Sequence, residues 1–166
     1  DPALKTLFTS EIGLQNSEIA EAVYSHLEAC PETKVYQLDG ALWSLLSDLV
    51  NAPHIAGLLS LPKSSLAPPQ SIANLDGDVV ILDRIQDAGN VGTILRTAAA
   101  AGFTQIIALS GCAHLWSNKV LRAGMGAHRL LNLYEGWTNQ QVLSAVTAPL
   151  MAATADAEQD LFHLKQ

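Results

Sequence analysis

The chain has 166 residues, 49% of them hydrophobic and 15% charged, which is too apolar for a disordered polymer, yet no run is long enough to span a bilayer. Nine basic against sixteen acidic side chains give a formal net charge of −7, and that balance argues against a protein coated with nucleic acid or lying on an acidic membrane. Cys30 and Cys112 stand in no CxxC or Cys/His spacing and Asp1-Pro2-Ala3-Leu4-Lys5 holds no secretory pattern, so no disulfide framework, zinc site or leader is expected, and a reducing cytoplasm is the expected compartment.

In chain order, hydrophobic patterning predicts a strand over 4–9, a helix over 16–29 capped by Asn16 or Ser17, a strand over 34–38, a helix over 41–49 and a buried strand over 54–61. Residues 61–71 then hold Pro62, Pro68 and Pro69 with Ser64, Ser65 and Ser71, a composition that reads as an extended linker. Alternation resumes with a strand over 78–83, a helix over 90–100, a strand over 105–109 and a helix over 117–123. A strand over 130–134, a helix over 138–146 and a last strand over 150–154 follow. Strand–helix alternation requires crossovers, so the expected fold class is α/β with a mostly parallel sheet covered on both faces. The expected division is a domain over 1–61, a linker over 62–75 and a second domain over 76–166.

The charge is unevenly spread. Between Arg84 and Arg129 five basic residues (Arg84, Arg96, Lys119, Arg122 and Arg129) accompany a single acidic one, Asp87, for a local formal charge of +4. Two histidines, His114 and His128, share the window. A focused basic surface on an acidic protein suits a polyanion bound at one place, beyond the carboxyl ends of the strands. Chance clustering of solvated arginines gives the same count, and composition does not separate the two.

The most informative segment is Ile81-Leu82-Asp83-Arg84-Ile85-Gln86-Asp87-Ala88-Gly89-Asn90-Val91-Gly92-Thr93-Ile94-Leu95-Arg96. A strand ends near Asp83, and a polar loop leads to Asn90 as the expected N-cap. Val91, Ile94, Leu95, Ala98 and Ala99 form one apolar stripe, with Arg96 about 140° from its centre. Side chains on a helix lean toward its N-terminus, so Arg96 is expected to fold back across the bare surface of Gly92 toward Asn90. A helix N-terminus beside a planar cation suits a phosphate or a developing oxyanion. Equally, Asn90 is only a cap, Gly92 a packing glycine and Arg96 a solvated side chain; the residues alone leave both open.

Asp83-x-x-x-Asp87-x-x-Asn90-x-Gly92-x-x-x-Arg96, straight after a hydrophobic strand, resembles the first signature of the SpoU/TrmH-type RNA 2′-O-ribose methyltransferases of the SPOUT superfamily. Ser117-Asn118-Lys119-Val120-Leu121-Arg122-Ala123-Gly124-Met125-Gly126-Ala127 is similar to that family's lysine–x–x–arginine–alanine–serine–x–glycine–alanine stretch, with Gly124 where the family usually has serine. Asn51-Ala52-Pro53-His54-Ile55-Ala56-Gly57 resembles the end of its N-terminal substrate-binding domain.

The resemblance implies transfer of a methyl group from S-adenosylmethionine to a ribose 2′-hydroxyl of rRNA or tRNA. Arg96 would stabilise the reacting oxygen with Asn90 positioning it, and Arg84, Lys119 and Arg122 would contact RNA. It also implies a homodimer and no membrane partner. At Gly124 a hydroxyl contact is lost, or the glycine serves as a helix C-cap. The family's glycine–x–glutamate–glycine loop and serine–leucine–asparagine segment, which make its trefoil knot and most of its cofactor pocket, do not follow 150–154. The expectation is therefore a piece truncated at both ends, without the knot region and without cofactor-binding residues, inactive by itself although its parent is an enzyme.

Other chemistry finds little support. No GxGxxG or GxSxG is present, and His26, His54, His114, His128 and His163 show no metal-ligand spacing. Trp43, Trp116 and Trp137 are too dispersed for a stacking platform, though Trp116 lies near Lys119. Two competing readings remain: an RNA-binding module without catalysis, and a small-molecule α/β enzyme that holds a carboxylate with Arg96.

Overall fold

The computed structural model describes residues 4–46, 49, 51–62, 78–145, 149–154 and 156–157. The first half contains β1 (Leu4–Ser10), α1 (Ser17–Ala29), β2 (Lys34–Leu38), α2 (Gly40–Leu46) and β3 (Ile55–Leu59). Asn16 caps α1, its side-chain oxygen accepting from the amides of Glu18 and Ile19 at 3.0 and 3.2 Å. The three strands form one sheet in the order β2-β1-β3, with β2 parallel and β3 antiparallel to β1. The expected buried strand over 54–61 is thus an antiparallel edge. Leu58 and Leu59 are exposed on it.

The second half contains β4 (Val79–Leu82), α3 (Ala88–Ala100), β5 (Gln105–Leu109), α4 (Asn118–Gly124), a 3₁₀ turn (Ala127–Arg129), β6 (Asn132–Trp137) and α5 (Asn139–Ala145). Its sheet runs β4-β5-β6, parallel throughout. Central β5 is buried on both faces, as its unbroken apolar run requires. Ile106 and Ala108 meet Val91 and Leu95 of α3 and Val120 of α4 on one side. Ile107 and Leu109 meet Trp137 and Val142 on the other.

Several boundaries differ from expectation. Strand β6 lies further along the chain than 130–134, because the 3₁₀ turn and Leu130 carry the chain into the core through Leu131 before pairing starts. Pairing then continues through a bulge, where three steps on β6 oppose two on β5 and Gly136 takes a φ of 75°. Residues 150–154 form no strand; they are irregular and exposed, and apolar composition without a partner sheet does not make one. Helix α2 ends at Leu46, and residues 47 and 48 of the expected helix lie outside the described residues. So does all of the expected linker except Pro62.

Candidate functional site

The carboxyl ends of β4 and β5 lead into the loops 83–87 and 110–117, and these two loops are tied together. The Ala113 amide donates to the Ile85 carbonyl at 2.9 Å, and the Cys112 thiol donates to the Leu82 carbonyl at 3.2 Å. From these loops α3 and α4 leave side by side over one face of the sheet.

Helix α3 starts earlier than the sequence pattern indicates, and this changes two assignments. Its N-cap is Asp87, whose carboxylate accepts from the Asn90 amide at 2.7 Å. Asn90 therefore sits inside the first turn, exposed, with its side chain free of hydrogen bonds among the described residues. Asp accepts as well as Asn at a cap and adds a negative charge at the positive end of the helix.

Gly92 is not a bare surface. It is buried where α3 crosses α4, and a Cβ there would collide with the Ala123 side chain and lie 2.8 Å from the Ala123 carbonyl carbon and the Gly124 nitrogen. The path proposed for Arg96, back across Gly92, is occupied by α4. Arg96 lies one turn beyond the crossing, exposed and without an ion pair among the described residues. Asn90 and Arg96 are separated by about 120° around the helix and about 9 Å along it, and no contact joins them.

Lys119 and Arg122 project from the exposed side of α4, one turn apart, with Val120 and Gly124 buried opposite. Neither is ion-paired among the described residues. Arg84 differs. Its Nε and Nη2 donate to both carboxylate oxygens of Asp83 at 3.0 and 2.9 Å, and this neighbour holds the guanidinium above its ordinary pKa. The Arg84 backbone is left-handed, with a φ of 53°, a conformation that costs a non-glycine residue about 1 kcal/mol. Gly124 is not a C-cap: Met125 takes the left-handed position at the end of α4, and Gly124 is buried, a Cβ there falling 2.9 Å from His128 Cε1.

Sequence reading missed two residues. The Glu135 carboxylate, at the β6 bulge, accepts the Leu115 amide at 2.6 Å, and His128 Nε2 donates to the Leu115 carbonyl at 2.7 Å. The available signal was Glu-Gly inside an apolar strand, which marks a bulge that re-aims a side chain.

Comparison with known proteins places this geometry in context. Residues 78–165 match the model of the SpoU rRNA methylase family. Human mitochondrial rRNA methyltransferase 3 is 38% identical over 117 residues, covering 63% of this chain and 27% of that protein. The Bacillus subtilis 23S rRNA (guanosine(2553)-2′-O)-methyltransferase RlmP is 31% identical over 93 residues, covering 56% of this chain and 35% of that protein. Among solved structures, an rRNA methyltransferase from Sinorhizobium meliloti superposes with a TM-score of 0.65 at 25% identity, over 85% of this chain and 50% of that one. The chain thus spans about a quarter of the length of its mitochondrial relatives.

Proposed function

The chain belongs to the SpoU rRNA methylase family, and from that premise we propose that it forms the RNA-facing part of an enzyme that methylates ribose 2′-hydroxyls of RNA. The observation that carries this reading is the set of cations left unpaired. On a chain of net charge −7, Arg96, Lys119 and Arg122 are exposed on two packed helices, and none of them meets a carboxylate among the described residues. Residues 1–61 carry eight acidic and two basic side chains, so phosphate contacts fall to the second half.

A ribose hydroxyl is a weak nucleophile that must shed its proton as it attacks a methyl group. A guanidinium can hold the adjoining phosphate, orient the hydroxyl and stabilise the developing alkoxide. Arg96 takes this role. A guanidinium offers donors and no acceptor, so it is not the proton acceptor. Asn90 offers a neutral amide to orient the nucleotide, and Lys119 and Arg122 hold the backbone. Arg84 contributes less while Asp83 neutralises it.

S-adenosylmethionine would supply the methyl group. In the loop after β5 the amide and carbonyl of Leu115 and the amides of Cys112 and Ala113 are engaged within the fold, and these groups are not assigned to hold it. No step is therefore assigned to the cofactor on this chain.

The test uses the complete gene product with radiolabelled S-adenosylmethionine and bulk rRNA and tRNA. Arg96→Ala lowers label transfer by about 10²–10³-fold, the effect of removing one oxyanion partner, without shifting the melting temperature. Wild-type protein that binds RNA but transfers no label points to a binding module, and absence of RNA affinity at low salt removes the RNA reading altogether.

A further inference from the structure

Leu115 is fully buried, and both of its backbone groups are held by side chains from elsewhere in the fold. Its amide donates to Glu135 Oε1 at 2.6 Å, and its carbonyl accepts from His128 Nε2 at 2.7 Å. A carbonyl only accepts, so the bond fixes the proton on Nε2. The two holders approach from different elements, Glu135 from the β6 bulge and His128 from the 3₁₀ turn that follows α4. The His128 ring is itself confined, with Trp116 5.1 Å away between centroids and the glycine surface of Gly124 beside its Cε1 and Nδ1.

The residue so held lies at a mechanical junction. Two positions later Ser117 caps α4, with no side-chain hydrogen bond of its own to secure the first turn. The placement of α4, and with it Lys119 and Arg122, thus depends on the packing at its Gly92 crossing and on this anchored loop. A carboxylate is also an expensive acceptor for one amide: Glu135 is only 23% exposed on its side chain, and the exposed His114 ring lies alongside, its Nδ1 3.7 Å from the same oxygen. A neutral acceptor would satisfy Leu115 at lower desolvation cost, but a charge-assisted bond is shorter and stronger. What the carboxylate adds is rigidity in the loop.

We propose that Glu135 and His128 are positioning residues of the RNA surface: by gripping Leu115 from both sides they fix α4 so that Lys119 and Arg122 face the same RNA backbone as Arg96. This rests on the RNA reading above. Neither residue touches the substrate; both act through α4.

The experiment is a mutant cycle in the complete gene product, read by RNA affinity against salt and by amide exchange. Each phosphate contact on a single strand contributes about −0.7 to the slope of log K against log salt, so Glu135→Leu flattens the slope by about 1.4. It raises KM for RNA about ten-fold with kcat within about two-fold, the pattern of a lost ground-state contact. Glu135→Gln, which keeps an acceptor oxygen for Leu115, recovers most of the loss. The double variant Lys119→Ala/Arg122→Ala reproduces the Glu135→Leu slope, and adding Glu135→Leu to it changes affinity by less than about two-fold, since residues acting through one another are not additive. Multiplying losses, or an unchanged slope in Glu135→Leu, would overturn the proposal. Amide exchange across 115–124 separates this from failure of the RNA reading. Faster exchange there in Glu135→Leu and His128→Leu, with 91–98 unchanged, supports the grip even for a protein that binds no RNA. Uniform acceleration across the second sheet refutes it as general destabilisation.

Discussion

Replacing Gly92 with alanine tests the α3–α4 crossing on which the site depends. At an ordinary mid-helix position the change stabilises a protein by about 0.5–1 kcal/mol, because glycine loses more backbone freedom on folding. Here the added Cβ falls onto the Ala123 side chain and 2.8 Å from two backbone atoms of α4. Backbone cannot swing aside as a side-chain tip can, so the upper part of the 1–3 kcal/mol range for overpacking applies. The two effects together give a net loss of about 1–2 kcal/mol. Urea denaturation of the chain, followed by circular dichroism, measures it: with an m-value of about 2 kcal/mol/M, the midpoint falls by about 0.5–1 M. Gly40→Ala is the matched control, since nothing lies within 4 Å of the new methyl at the start of α2, and its midpoint stays level or rises slightly. A Gly92→Ala midpoint equal to or above wild type would falsify the tight crossing, and with it the reason that Arg96 cannot fold back over Gly92.

Asp87→Ala removes the cap of α3 and lowers stability by about 0.5–2 kcal/mol, whereas Asp87→Asn stays within a few tenths; equal midpoints for the two variants would show that the cap carries no weight. Asp83→Asn frees Arg84 without a change in melting temperature, and RNA binding by the complete gene product gains about 0.7 in salt slope as Arg84 becomes available to a phosphate. An unaltered slope there removes Arg84 from the RNA surface.

The second sheet was readable because its strands are continuous apolar runs flanked by polar loops, and the structure departs where a local signal has two solutions. Asp87 and Asn90 are both good caps three residues apart. Which one starts α3 depends on where the β4 loop releases the chain, and that is set by the Ala113–Ile85 bond, 28 positions away in sequence. Leu130 and Leu131 read as strand residues, yet Leu131 is buried ahead of β6 and Leu130 stays 67% exposed. Asn90, Gly92 and Arg96 could be named from their spacing, but spacing did not reveal that Gly92 had a neighbour already in place. Glu-Gly inside an apolar strand marked a bulge at Glu135, but nothing in the sequence tied Glu135 or His128 to Leu115, because a grip on one backbone residue is assembled from three separate elements.

The cap by Asp87 also decides how this surface can recognise an anion. The amides that make a helix N-terminus attractive to phosphate are, in α3, satisfied in part by a carboxylate. A phosphate brought there meets a like charge instead of an open cradle, so the anion site expected at the start of this helix is closed by the residue that begins it. Recognition then passes to side chains beyond the reach of Asp87. Arg96 lies nine residues on, about 13 Å along the axis, farther than the roughly 8 Å Debye length at physiological salt. Lys119 and Arg122 belong to the helix that crosses α3 between the two. Repulsion at one end of α3 and unpaired cations farther along it give a polyanion a preferred side, so the acidic cap acts on orientation as well as stability.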